Sequence, residues 1–189
     1  VFRPVEKYSD VDVETWIIPG KGANFPRGYE MYKGGQLVAK AICNWALVDT
    51  VTGKLIASKD YDMGTYSMDE APELSIPRRF RIPKELKFQE VESSKVAMSM
   101  IDINMHMNNT VYASKLYDNI DDAEKYFITS INLRYVHEAP LGSEFKVYRS
   151  DAVDPGEMDY RAEKLIYFYT EADGMLNLEA AVGLKKVTI

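Results

Sequence analysis

The sequence predicts an α+β fold in which antiparallel sheets pack against a helix, and three observations lead to this class. Several long segments alternate apolar and polar side chains, as residues 127–135 do, which is typical of half-buried strands. Residues 109–120 instead place their apolar side chains at helical spacing. Turn-forming residues at 33–36 and 154–157 separate the strand segments.

The strands and the helix follow a regular order along the chain. Asn108 or Asn109 is a suitable N-cap for the helix, because an amide oxygen can accept from an orphan backbone N–H. Residues 60–87 contain three prolines, which argue against a long regular element, and we expect there only a short helical turn around residues 68–74. The predicted strands cover residues 11–18, 27–33, 37–47, 92–101, 127–135, 144–151, 160–171 and 176–188.

The chain is expected to contain two unequal halves. Residues 1–60 hold strands only, residues 61–90 form a linker, and residues 91–189 hold strand, helix and a strand meander. A sheet without a covering helix would expose apolar surface. We therefore expect the first half either to pair with another chain or to lack a helix that precedes Val1.

Composition narrows the class of protein. The net charge of −6 argues against nonspecific nucleic-acid binding. No apolar run reaches the roughly 18–20 residues that cross a bilayer, and no targeting segment is visible, so we expect a cytoplasmic protein without a membrane span. The single cysteine, Cys43, excludes an internal disulfide and fits a reducing compartment. Because Cys43 is one of the apolar positions in an alternating strand pattern, we expect it to be buried.

Residues 102–112 are the most informative stretch of the sequence. Carboxylate, amide and imidazole groups are concentrated directly before the predicted helix, where free backbone N–H groups also point outward. Such an arrangement suits acyl transfer or hydrolysis. A calcium loop is excluded because Met107 and Ala113 stand where that loop needs glycine and glutamate. Zinc would need more His or Cys ligands, so no metal or cofactor is expected.

The pattern Asp-x-Asn-x-His-x-Asn-Asn resembles the active-site motif of the acyl-acyl-carrier-protein (acyl-ACP) thioesterases of the hot-dog superfamily. A second match is Tyr135-Val136-His137-Glu138, and residues 14–16, 27 and 44–49 are similar to the family's first unit. The resemblance implies a tandem hot-dog fold, in which each antiparallel sheet wraps around a central helix. The first unit would lack its N-terminal strand and helix.

The resemblance also implies the active-site residues, which are Asp102, Asn104, His106 and Glu138. Glu138 is the candidate general base and would need partial desolvation. Asp102 would orient His106 or Asn104, and the division of work between Glu138 and His106 stays open. Plant members carry a cysteine directly after the acid, whereas this chain has Ala139, which favours attack by water.

The developing oxyanion also needs hydrogen-bond donors. The helix N-terminus offers the backbone N–H groups of Asn108, Asn109 and Thr110 for this purpose. His137 matches no motif position, and we expect it to be a non-catalytic strand residue.

The implied activity is hydrolysis of fatty acyl-ACP to free fatty acid and ACP, which ends chain elongation. Two alternatives stay open: an acyl-CoA thioesterase of the same superfamily, and a catalytically inert acyl-binding module. Because ACP is acidic, docking would need a local basic patch. Residues 77–87 are either this basic patch or a solvated linker. The chain could also form a homo-oligomer by pairing its sheets with those of a second copy. The cations of the patch are Arg78, Arg79, Arg81, Lys84 and Lys87.

Overall fold

Two compact units, Val1–Leu74 and Ser75–Ile189, make up the chain in the computed structural model. The structure describes residues 1–62, 64, 66–74 and 76–187. The division falls inside residues 61–90, the segment predicted as a linker. Within the described part of the chain, none of the helices has the length and apolar character that a membrane-spanning segment requires.

The first unit contains a three-stranded antiparallel sheet in the order β1-β2-β3. The strands are β1 (Asp12–Ile17), β2 (Phe25–Lys33) and β3 (Gln36–Trp45). Gly34 and Gly35 join β2 to β3 with φ angles of 55° and 75°. Glycine adopts this left-handed region without a steric penalty, so a two-residue hairpin forms where the sequence predicted a turn.

The segment after β3 is extended where a helical turn was predicted. Met68 forms a parallel bridge with Ile17, and the Ile17 N–H donates to the Ser67 carbonyl at 3.1 Å. The prediction of a helical turn around residues 68–74 is therefore wrong. The backbone groups of this segment find partners in β1, and such long-range pairing overrides a weak local helical signal.

Cys43 is exposed, so the prediction that it is a buried packing residue is wrong. On the same strand Val38 is 1% exposed, whereas Trp45 is 51% exposed. Alternation along β3 correctly separates its two faces, but it does not determine which face another element covers.

The second unit is a five-stranded antiparallel sheet in the order β4-β6-β7-β8-β5 with one α-helix packed on it. This arrangement confirms the predicted α+β class. Strand β4 ends earlier than the predicted 92–101, and a short 3-10 turn at Met98–Met100 follows it. The elements are β4 (Phe88–Lys95), α1 (Asn109–Asp118), β5 (Tyr126–Tyr135), β6 (Glu144–Ser150), β7 (Lys164–Ala172) and β8 (Met175–Lys186).

The main core lies between α1 and the sheet. Tyr112 and Leu116 are four residues apart, so they share one face of the helix, and they are 2% and 1% exposed. The Tyr112 ring meets Phe145 of β6 edge-on, with 5.9 Å between ring centroids. Asn108 is the N-cap, and its side-chain oxygen accepts from Thr110 N–H, which confirms one of the two predicted caps.

The opposite face of the same sheet carries a second cluster. Phe80 packs there with Leu165, Tyr167 and Ala181. Phe80 is 8% exposed, so the segment around it is fixed to the sheet by burial of an aromatic ring.

Candidate active site

Residues 101–107 form a tight loop that turns back on itself. Ile101 and Met107 form an antiparallel bridge, and Asp102 N–H donates to the His106 carbonyl at 3.0 Å. Met105 occupies the left-handed region with φ of 63°, which closes the turn. The loop therefore delivers His106 at a defined point just before α1.

A second set of backbone contacts joins this loop to the segment that follows β5. Met107 N–H donates to the Ala139 carbonyl at 2.9 Å, and His106 forms an antiparallel bridge with Pro140. Glu138 is consequently brought beside the imidazole, with 3.1 Å between His106 Nε2 and Glu138 Oε2. This short distance brings together an acid and an imidazole that are far apart in the sequence.

Both side chains of this pair reach solvent. The His106 side chain is 34% exposed and that of Glu138 is 72% exposed. The partial desolvation expected for Glu138 is thus not supplied by the described residues. A bound substrate would have to remove water from the carboxylate.

Asp102 supports the loop and does not contact the imidazole. Its Oδ1 accepts from the backbone N–H of Asn104 at 2.8 Å, which is the local Asx turn that aspartate favours. Of the two predicted alternatives, the geometry fits orientation of Asn104. The Asn104 side chain is exposed and has no hydrogen-bond partner among the described residues, so it can meet a ligand or water.

The helix N-terminus offers fewer donors than predicted. Asn108 N–H donates to the Met100 carbonyl at 2.8 Å, and Thr110 N–H donates to Asn108 Oδ1 at 2.9 Å. The proposed use of Asn108 and Thr110 as oxyanion donors is therefore corrected, because a backbone N–H already paired inside the protein is not available to a ligand. In the described part of the chain, Asn109 N–H has no acceptor.

His137 and Asn177 complete the surroundings of Glu138. His137 is exposed, and its Nδ1 lies 2.8 Å from the Leu176 carbonyl oxygen. Asn177 of β8 is fully buried and bonds to Tyr112. Sequence reasoning missed this asparagine, although an amide side chain near the start of a strand is an uncommon core residue and could have signalled it.

The predicted docking cations are all exposed. Phe80 is buried between them, so the cations project from a segment that is anchored to the sheet. Within residues 76–187, none of these five cations forms an ion pair. The described residues contain no group of three His, Cys, Asp or Glu side chains placed to hold a metal ion.

The sequence matches one family profile. Residues 84–172 match the acyl-ACP thioesterase C-terminal domain, which contains both His106 and Glu138. This match confirms the resemblance predicted from the Asp-x-Asn-x-His motif. No curated protein matches the sequence at a significant level.

Solved structures show the same fold over nearly the whole chain. An acyl-ACP thioesterase from Bacteroides thetaiotaomicron superposes with a TM-score of 0.74 at 20% identity, covering 93% of this chain and 68% of that one. A 12:0-ACP thioesterase from Umbellularia californica gives a TM-score of 0.68 at 16% identity, covering 94% and 68%. The chain thus spans about two thirds of the length of these relatives, and the predicted hot-dog fold is confirmed.

Proposed function

We propose that this chain, whose residues 84–172 match the acyl-ACP thioesterase C-terminal domain, hydrolyses fatty acyl-ACP. The products are free fatty acid and ACP, and their release ends chain elongation. The observation that carries the proposal is the pairing of His106 with Glu138 at 3.1 Å inside that domain. An imidazole and a carboxylate in contact can activate water by accepting its proton and can later donate that proton to the leaving group.

Water is the nucleophile in this mechanism. Ala139 follows the acid and supplies no thiol, and its side chain is fully buried. Glu138 accepts a proton from water as the water oxygen bonds to the thioester carbonyl carbon. The tetrahedral intermediate then collapses, the C–S bond breaks, and the sulfur leaves with the bonding electrons and takes the proton from Glu138.

The contact between Glu138 and His106 supports this assignment of the base. His106 Nε2 lies 3.1 Å from one carboxylate oxygen, and the other oxygen has no partner among the described residues, so it can accept from water. The competing assignment uses His106 Nδ1, which also lacks a partner in the described part, as the base. In that case Glu138 orients the ring, as a carboxylate commonly does for an imidazole.

Stabilisation of the oxyanion falls to Asn109 and Asn104. The Asn109 N–H lies in the first turn of α1, where unpaired N–H groups and the helix dipole favour negative charge. The Asn104 amide can position the water or the thioester carbonyl from the neighbouring loop. Asp102 contributes by holding the Asn104 backbone.

The activity is tested by measuring free thiol released from a panel of acyl-ACPs and matched acyl-CoAs. We expect faster turnover of the acyl-ACP substrates, because the exposed cations of residues 78–87 complement an acidic carrier. Preference for acyl-CoA would assign the chain to the alternative class of acyl-CoA thioesterases. Absence of turnover on both would favour the inert acyl-binding module.

The basic segment is the proposed ACP-docking surface. Burial of Phe80 anchors the segment to the sheet, which supports its use as a surface that presents Arg78, Arg79 and Arg81. Lys84 and Lys87 extend the same charge. Unpaired exposed cations steer an acidic partner toward one region of a protein whose net charge is negative.

Reversing two of these charges is expected to weaken docking selectively. Arg78→Glu combined with Arg79→Glu should raise the KM for acyl-ACP about tenfold at low salt, since the local attraction becomes repulsion. The KM for a small thioester should not change. The matched control is Lys21→Glu with Lys54→Glu, which alters the net charge equally at exposed cations of the first unit. An equal rise in the KM for acyl-ACP in both double variants would place the docking surface elsewhere.

Two broader features belong to the same proposal. A cytoplasmic location agrees with the single cysteine, which forms no internal disulfide.

Association of chains through sheet edges is a further expectation, because β4 and β5 each leave one edge of the five-stranded sheet without a neighbouring strand in the described residues. Sedimentation of the purified protein measures this directly.

A further inference from the structure

A buried amide lies directly behind the Glu138 segment. Asn177 is fully buried, and its side-chain oxygen accepts from Thr170 Oγ1 at 2.8 Å. Its Nδ2 donates to the carbonyl oxygen of His137, the residue before Glu138. Its backbone carbonyl accepts from the N–H groups of Val136 and His137 at 2.9 and 3.2 Å. One residue of β8 thus holds the chain immediately before the acid.

Tyr112 of α1 contacts the same amide from the helix side. Its hydroxyl oxygen accepts from Asn177 Nδ2 at 3.1 Å. Burial raises the pKa of the Tyr112 phenol, while the hydrogen bond from Asn177 acts in the opposite direction. The hydroxyl is therefore a hydrogen-bond acceptor for the Asn177 amide in the core of the unit.

We propose that Asn177 and Tyr112 are positioning residues that clamp the backbone directly before Glu138, Asn177 by its own hydrogen bonds and Tyr112 by fixing the Asn177 amide, and so set the distance of Glu138 from His106. The inference rests on the proposed catalytic role of Glu138. Neither residue needs to touch substrate.

Exposure of the Glu138 side chain explains why such a clamp matters. Glu138 is 72% exposed and touches only His106 among the polar side chains of the described residues, so packing does not restrict its direction. The direction of the carboxylate must come from the backbone at residues 137–139. Catalytic geometry is sensitive to displacements of about 1 Å, which cost up to roughly a hundredfold in rate.

The clamp is tested by Tyr112→Phe, which removes one hydroxyl and keeps the ring against Phe145 and Tyr135. We expect kcat for acyl-ACP to fall about tenfold with KM unchanged. The matched control is Tyr167→Phe, the same change at a tyrosine that is 4% exposed and belongs to the cluster on the other face of the sheet. It should leave kcat unchanged.

A second pair of variants tests the amide itself without changing its size. Thr170→Val removes the hydroxyl that orients the Asn177 amide and should lower kcat. Thr170→Ser keeps the hydroxyl, so its kcat should equal that of the unaltered chain. The chain has two histidines, so the His106 imidazole resonance is readily assigned by NMR. We expect that resonance to move in Tyr112→Phe and Thr170→Val, and to stay in place in Tyr167→Phe and Thr170→Ser.

A double-mutant comparison separates this inference from the proposed function. In a Glu138→Gln background, Tyr112→Phe should cause no further loss of kcat, because a residue that acts through the Glu138 carboxylate has no effect once that carboxylate is removed. An equal loss in both backgrounds, or an unmoved His106 resonance, would overturn the positioning role. Full activity of Glu138→Gln alone would instead overturn the catalytic assignment of Glu138, whatever Tyr112 does.

Discussion

Replacing Glu138 by glutamine lowers kcat for acyl-ACP by an expected factor of about 10³, within the 10²–10⁴ range that a general base contributes. The amide keeps the size of the side chain and can still meet the imidazole, but it cannot accept the proton of water. Because the Glu138 side chain is 72% exposed, the substitution should leave the fold unchanged. Steady-state thiol release measures the rate, and circular dichroism with thermal unfolding checks the fold.

The matched control for this variant is Glu124→Gln. Glu124 is an exposed acid of the same unit and forms no ion pair within residues 76–187. It should retain full activity. A Glu138→Gln variant that turned over acyl-ACP as fast as the unaltered chain would remove Glu138 from the mechanism, and a loss in both variants would point to a general effect of charge.

Replacing His106 by alanine is expected to lower kcat by about 10²-fold or more, because Glu138 loses its only polar side-chain partner in the described part of the chain. The matched control is His137→Ala, which changes the other histidine of the chain. His137 bonds to the Leu176 carbonyl and should affect kcat much less. If the two variants were equally impaired, the special role of His106 would be lost.

His106→Gln distinguishes the two possible bases. A glutamine amide can donate to the Glu138 carboxylate, which lies 3.1 Å from His106 Nε2, but it is not a base at neutral pH. Substantial recovery of activity relative to His106→Ala would assign the proton transfer to Glu138, with His106 orienting it. No recovery would assign the proton transfer to the imidazole. The double variant His106→Ala with Glu138→Gln should have a kcat only slightly below that of the more impaired single variant. The reason is that the effects of two residues that act as a unit are not additive.

Local features of the site could be predicted from the sequence. Helix α1 and its cap at Asn108 were predictable, because helical spacing and an N-cap amide act within a few residues. The hairpin at Gly34 and Gly35 was predictable for the same reason. The candidate residues His106 and Glu138 came from a motif whose spacing resembles that of a known family, and periodicity alone would not have joined them.

Partners that come from distant parts of the chain could not be predicted. The donors at the helix N-terminus illustrate this, because Asn108 N–H is used by Met100, and only the folded loop shows that Asn109 N–H is left. The clamp behind Glu138 depends on β8 lying beside the end of β5, a pairing that brings Asn177 to residues 136 and 137.

The sequence therefore predicted most of the strands, the helix and its two possible caps, and its resemblance to a known family indicated the candidate reactive side chains. Tertiary structure decided which face of β3 is covered, and so the exposure of Cys43. It also decided that Phe80 anchors the basic segment and that His106 meets Glu138. The physical reason is that periodicity and capping are local interactions, whereas burial and hydrogen-bond pairing depend on which distant segment the fold places alongside.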